Sequence, residues 1–203
     1  GGSTEAFVAG LAENPGKPTL HCIEVSTPRF DVLSAAYADR PFVRCYNMSS
    51  VAPEEFPSED EVIAFYRNEK SGLTKFPMDE VLRWLAQDIA YVRDAGVPAG
   101  AVDRIKAENG IAAFDMVLID GSEFTGEVEL AKVLGAKLIL LDDTNTFKCF
   151  RARQKLLLDP NYEVIADDQT LRNGFSAFRR KPQADELPIH FFTIVLNGEP
   201  FIR

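Results

Sequence analysis

Residues 114–123 read FDMVLIDGSE and residues 136–145 read AKLILLDDTN. Each opens as a short apolar run with β-branched residues, ends in acid and passes into turn chemistry. Strands buried on both faces read this way. Residues 125–134 between them carry a helical pattern, so the unit reads as β-α-β with two parallel strands. Open α/β sheets bind ligands beyond the carboxyl ends of their strands. Asp120, Asp142 and Asp143 therefore stand where chemistry is expected; the alternative is that they cap the helices that follow.

Upstream, Gly1-Gly2-Ser3-Thr4 leads into EAFVAGLAE, where Phe7, Val8 and Leu11 form a stripe at helical spacing. Ser3 or Thr4 is the expected N-cap. A glycine turn opening a helix lets a ligand approach backbone N–H groups closely. Residues 20–26, LHCIEVS, read as a strand ending in Glu24, and an acid about twenty residues past a glycine loop suits ribose hydroxyls. No strand precedes the glycines, so the first strand of the sheet is expected to be missing and the chain to be a fragment of a longer protein. Residues 28–38 read as a helix with Phe30, Leu33 and Tyr37 on one side. Residues 42–48 read as a strand followed by Ser49 and Ser50, which either meet a nucleoside base or form an ordinary turn.

Residues 53–109 break the βα alternation and read as a helical insertion. Ser58 and Glu61 form a capping box. Asp79 begins a second helix, with Leu82, Leu85, Ile89 and Val92 on one face and Gly96 at its end. A third covers about 101–108. The insertion is either a lid over the strand ends or a unit whose aromatics, Phe65, Tyr66, Trp84 and Tyr91, are its own core; for most of them the second is expected.

Residues 147–158 read as a helix whose basic run, Lys148, Arg151, Arg153 and Lys155, is expected to be a solvated face. Residues 162–166 and 175–179 read as strands joined through Asn173-Gly174, a hairpin signal. The fold class is α/β: a Rossmann-like, mostly parallel sheet flanked by helices and closed by a C-terminal antiparallel hairpin. Residues 1–180 form this domain, 181–187 a linker, and 188–203 an apolar strand opening a further domain.

The chain has 203 residues and a net charge of -9, which argues against nonspecific binding to nucleic acid or an anionic membrane. No apolar run reaches the length of a membrane span. Cys22, Cys45 and Cys149 show no metal-binding spacing. Cys22 and Cys45 are expected as buried free thiols in strands, which with the composition reads as a cytoplasmic protein. His21 and His190 are far apart in sequence and are expected to pack at strand starts.

A glycine loop, an acid after the second strand, an acid after the fourth and a terminal hairpin together resemble the class I S-adenosylmethionine-dependent methyltransferases over about residues 1–180. IDGSEFTGE is similar to the IDG-S-H-x-Y pattern of a subfamily found beside sugar-processing enzymes. FDMVLIDGSE with LILLDDTN resembles the metal-dependent catechol-type O-methyltransferases. The tail FFTIVLNGEPFI resembles the opening strand of family 2-like glycosyltransferases.

The resemblance implies S-adenosylmethionine as cofactor, held by Gly1, Gly2, Ser3, Thr4, Glu24, Ser49 and Asp120. It also implies Mg²⁺ held by Asp120 and Asp143. Thr144 stands where the family has Asn, which passes the third ligand position to Asn145, with Asp142 as a further candidate. Glu123 replaces the subfamily's His and the catechol enzymes' Lys. The base then falls to Glu123 or to metal activation at Asp120.

The expected function is methyl transfer to a hydroxyl of a sugar, glycan or other small substrate. The alternative is a noncatalytic module of nucleotide-binding shape that positions a neighbouring glycosyltransferase. A third class, an NAD-binding oxidoreductase, is disfavoured by the absence of a clear GxGxxG and by the terminal hairpin.

Overall fold

A computed structural model describes residues 2–16 and 18–182. Gly1, His190, most of the expected linker and the whole of 188–203 lie outside the described residues.

The N-terminal part is two βα steps. Helix α1 (Gly2–Ala12) lays Phe7, Val8 and Leu11 toward β1 (Leu20–Glu24). Ser3 and Thr4 sit inside its first turn rather than at its N-cap. Helix α2 (Thr27–Ala36) has Pro28 in its first turn, where a missing N–H costs nothing. Phe30, Leu33 and Tyr37 are its half-buried stripe, and none of its residues is fully buried. Strand β2 (Val43–Asn47) pairs with β1 in parallel, from Leu20 opposite Val43 to Glu24 opposite Asn47.

The insertion holds α3 (Glu59–Asn68), α4 (Met78–Ala95) and α5 (Ala101–Asn109), with 3₁₀ turns at Pro53–Glu55 and Gly72–Lys75. The Ser58–Glu61 capping box forms, and Gly96 (φ 63°) ends α4 in the left-handed conformation that glycine adopts without strain. Phe65, Tyr66 and Trp84 share one core, built mainly from the insertion's Val62, Leu73, Val81 and Leu85 and extended by Phe124 and Phe147 from beyond it. Phe65 meets Phe147 and Phe150 at ring-centre distances of 4.8 and 5.2 Å. Trp84 lies 4.8 Å from Phe76, and Tyr91 is exposed. Through Phe65 the insertion docks on the following lobe, in edge-on contacts of the kind that aromatic pairs favour.

That lobe is built from β3 (Met116–Ile119), α6 (Gly126–Val133), β4 (Leu138–Asp142), α7 (Phe147–Leu158), β5 (Tyr162–Asp168) and β6 (Phe175–Arg180). Its sheet order is β3-β4-β6-β5. β3 and β4 are parallel, while β6 lies antiparallel between β4 and β5. The core under it comprises Ile119, Leu130, Ile139, Leu141, Ala152, Leu156 and Phe178, with Ile23 of β1 packed against it. The architecture is α/β, with the expected β-α-β unit and terminal hairpin in place.

The strands fall into two sheets rather than one. Among the described residues nothing pairs with the outer edge of β1 or with that of β3. The edges show it: every residue of β1 is only half-buried, and Met116 of β3 is exposed. Cys22 and Cys45, opposite one another on β1 and β2, are accordingly half-buried rather than buried; Cys149 of α7 is buried.

Candidate functional site at the strand ends

β3 and β4 are neighbours in register, so the acids that follow them converge. Asp120, Asp142 and Asp143 each place a carboxylate oxygen within 4.8 Å of the other two. Asp143 takes a φ of 54°, a left-handed backbone that Asp tolerates better than most residues. Its Oδ1 is buried with no hydrogen-bond partner.

A fourth residue completes the group. Lys148 places its Nζ 2.6 Å from Asp143 Oδ2 and 3.1 Å from Asp120 Oδ1. Its side chain is 8% exposed, so the expectation of a solvated basic face fails here. Helix α7 starts at Phe147, directly after the acidic turn, and its second residue points back into that turn. Burial works against the ammonium, but Asp143 and then Asp120 outweigh it and hold the lysine above its ordinary pKa. For Asp142, burial first and then the charges of Asp143 and Asp120 push the carboxyl up. The other bases of α7 are also paired: Arg151 and Lys155 reach Glu127 of α6, and Arg153 reaches Asp167.

Glu123 does something other than face an open site. Its Oε2 accepts from Thr146 Oγ1 at 3.1 Å and its Oε1 from the Lys148 N–H at 3.4 Å. It thus closes the N-terminus of α7, where a carboxylate is favoured by the helix dipole. Burial pushes its carboxyl up, against the opposing pull of the Thr146 hydrogen bond. Ser122 Oγ donates to Asp88 of α4, tying the IDGS loop to the insertion.

Asn145 does not join the acids. Its Nδ2 donates to Gln169 O at 3.5 Å, and its backbone is held by Gly72 and Asn173. One residue further along the chain from Asp143, its side chain is directed to the β5–β6 loop, and Asp142 takes the third place in the cluster.

At the ends of β1 and β2, Glu24 Oε1 accepts from the Ser26 N–H at 2.8 Å. Asn47 Nδ2 donates to the carbonyls of Glu24 and Val25. Ser49 is buried, its N–H donating to Pro98 and its carbonyl accepting from Ala101. Its work is to hold the start of α5. Next to it, Ser50 Oγ donates to Glu129 Oε1 at 2.5 Å, and Lys132 Nζ donates to Ser50 O at 2.8 Å. Burial pushes the Glu129 carboxyl up, opposed by Ser50. Gly121 lies over that carboxylate: a Cβ there would stand 2.8 Å from Glu129 Oε1.

The sequence does not single out Glu129 or Asp88, offers Lys148 only as a solvated base, and offers Ser50 only as a nucleoside-base contact or an ordinary turn. Two of them leave a signal in it. Lys148 stands in a helix's first turn, the end of the dipole that disfavours cations. Glu129 falls three residues after Gly126 and four before Val133, on the face that α6 buries.

A depression of about 390 Å³ among Leu134, Gly135, Asp159, Asn161, Tyr162 and Arg180 lies where β4 and β5 begin, the opposite end from the acids. Chemistry at the strand ends is favoured over it because the charged groups converge there. No protein-family model matches the chain, and no curated protein is significantly similar to it in sequence.

Proposed function

We propose that this chain carries an S-adenosylmethionine-dependent methyltransferase domain acting on a hydroxyl of a sugar or other small acceptor. The observation that carries the reading is the placement of β6. It runs antiparallel between β4 and β5, beside the parallel β3–β4 pair whose ends hold Asp120 and Asp143. This is the hairpin on which the class I methyltransferase resemblance rests, and it disfavours an oxidoreductase with a fully parallel dinucleotide-binding sheet. The step from fold to activity is an analogy; the strand-end acids give it chemical content.

When bound, S-adenosylmethionine supplies a methyl group on a sulfonium. The acceptor oxygen forms its bond to that carbon as the carbon–sulfur bond breaks, and the hydroxyl proton must leave to a base. In this reading the start of α1 at Gly2, Ser3 and Thr4 and the carboxylate of Glu24 hold the cofactor. Of the acids, Asp120 is better placed than Glu123 to take the proton: its side chain is 39% exposed, whereas both oxygens of Glu123 are engaged at α7. Alignment of donor and acceptor supplies much of the rate. A cytoplasmic setting belongs to the same reading. Three free thiols fit it, and no described helix is long and apolar enough to cross a membrane.

The residues do not fit a Mg²⁺-assisted version of this reaction. Mg²⁺ demands near-octahedral oxygen ligation and keeps several waters. Here Asp143 Oδ2 and Asp120 Oδ1 are already committed to a buried ammonium.

The second reading is a noncatalytic module beside a glycosyltransferase. It is favoured by the capture of Glu123 as a helix cap, which leaves the base position of the resembling families without its side chain. Calorimetric titration of the whole chain with S-adenosylmethionine, S-adenosylhomocysteine and NAD separates these readings. Saturable heat with the first two and none with NAD is expected. Heat with NAD alone overturns the proposal. Binding without methyl transfer to any hydroxyl acceptor favours the module.

A further inference from the structure

We infer that the ammonium of Lys148 is the resident cation of the Asp120–Asp142–Asp143 cluster, standing where a divalent metal would otherwise bind. Its bearing on methyl transfer rests on the proposed function; the assignment of the cation does not.

Three carboxylates gathered within 4.8 Å repel one another, which a proton on one of them or a positive charge beside them relieves. The sequence supplies such a charge in an unusual place. A lysine in the first turn of a helix faces the positive end of the dipole, so that position alone disfavours it. It is offset by direct contacts of 2.6 Å to Asp143 and 3.1 Å to Asp120. The ammonium has three N–H donors and sits as a compact point charge, the role a small cation plays.

The lysine is also held from behind. α6 crosses α7 at Gly126, where a Cβ would lie 2.0 Å from Lys148 O. The Lys148 N–H donates to Glu123. Backbone and side chain are thus fixed together, with the side chain 8% exposed. A metal taking Asp143 Oδ2 or Asp120 Oδ1 would have to displace it. The left-handed turn at Asp143 serves the same geometry, turning the chain so that Oδ2 meets Nζ. Lys148 is a positioning residue in this account: it keeps Asp120 and Asp143 together and leaves Asp120 reaching solvent.

The test compares the whole chain with Lys148→Met, using Mg²⁺ alone as the probe in calorimetry and thermal melts. The wild type should give no saturable Mg²⁺ heat, and neither Mg²⁺ nor a chelator should shift its melting temperature. Lys148→Met should melt lower and should gain Mg²⁺ affinity by at least about tenfold, with Mg²⁺ restoring part of the lost melting temperature. Saturable binding of Mg²⁺ by the wild type with thermal stabilisation overturns the inference. So does a folded Lys148→Met that ignores Mg²⁺. Should Lys148→Met fail to fold even with Mg²⁺, the wild-type titration decides alone. S-adenosylmethionine titrated into the same wild-type sample separates the two claims. Absence of its binding beside Mg²⁺ indifference sinks the methyltransferase reading and leaves the cation assignment standing. Its binding beside Mg²⁺ affinity does the reverse. If both hold, methyl transfer must run at full rate in excess chelator.

Discussion

Gly126 of α6 lies so close to α7 that a Cβ on it would stand 2.0 Å from the carbonyl oxygen of Lys148. The same Cβ would meet Cys149 Sγ at 3.0 Å. The obstacle is backbone, which cannot swing aside as a side chain would. Gly126→Ala must therefore part the two helices and displace the lysine that holds the acids. The expected cost is about 2–3 kcal/mol, the scale of an overpacked core, measured by denaturant unfolding. A Gly126→Ala protein as stable as the wild type would show that the helices are not in this contact.

Glu129 is the group whose removal should help. Burial raises its folded-state pKa, and Ser50 and Thr125 only partly oppose that. The folded state then binds a proton more tightly than the unfolded one. Stability contributed by this group rises as pH falls through the raised folded value and levels off below the unfolded carboxylate range. Glu129→Gln keeps the shape and an oxygen for the Ser50 hydroxyl while removing the buried charge. It should stabilise the protein by about 1 kcal/mol at pH 7–8. The gain should shrink toward pH 4. A melt in which Glu129→Gln is less stable at pH 8 than at pH 4, relative to wild type, would mean that Lys132 and Lys148 dominate its energetics.

Asp167 titrates with the opposite sign. The Arg153 hydrogen bonds, at 2.9 and 2.5 Å, hold its carboxyl down to about 2, with Ser176 and Gln169 adding to them. Its contribution is present above the unfolded Asp value and is lost as pH falls from about 4 toward 2. Asp167→Asn should cost about 1–2 kcal/mol at pH 7, after allowance for its partial exposure. It should cost almost nothing at pH 2. An equal loss at both pH values would assign the effect to shape rather than charge.

The β-α-β unit and the hairpin were legible because each is a local pattern: a four-to-seven-residue apolar run bounded by turn residues, or a helix stripe. Phe147–Leu158 is a helix over the expected residues for that reason. The convergence of Asp120 with Asp143 followed from strand adjacency. What local pattern could not supply was direction. Lys148 and Lys155 read alike in sequence, yet one side chain is 8% and the other 59% exposed, because only the first faces the acidic turn. Asn145 is one residue past Asp143, and that step sends it to Gln169. Glu123 reads as a free loop acid until α7 is brought back against it. Phe65 belongs to a core that joins residues more than eighty positions apart, which periodicity within one helix cannot show.

The split between the two sheets has a dynamic consequence. Among the described residues, β1 and β2 form a parallel pair with an unpaired edge and no fully buried residue. β4, by contrast, is paired on both sides, with Ile139 and Leu141 fully buried. Local opening costs least where buried apolar contact is thin. Amides of Leu20–Glu24 and Val43–Asn47 should exchange with solvent at least about a hundredfold faster than those of Leu138–Asp142. Hydrogen-exchange mass spectrometry of the whole chain reads this directly. Equal protection in the two sheets would show that the edge of β1 is covered in solution.

Glu24 gives the sharpest check on the proposed cofactor. It ends β1, and its Oε1 caps the Ser26 N–H at the entry to α2. A bland account stops there: the carboxylate is a turn-former, and its loss costs stability alone. The methyltransferase reading asks more of it, a hydrogen bond from its carboxylate to ribose hydroxyls. Two variants separate these roles. Glu24→Gln keeps an oxygen for the Ser26 N–H, so the turn survives, but it removes the charge that makes a strong acceptor. Glu24→Ala removes both. If the carboxylate holds the ribose, both variants should weaken S-adenosylhomocysteine binding, by about 1–3 kcal/mol for Glu24→Ala. Only Glu24→Ala should also lower the melting temperature of the unliganded protein. Calorimetry and thermal melts on the same samples give both readouts. Glu24→Ala that melts lower yet binds S-adenosylhomocysteine as tightly as the wild type would confine Glu24 to its turn, and the cofactor would have to be held without it.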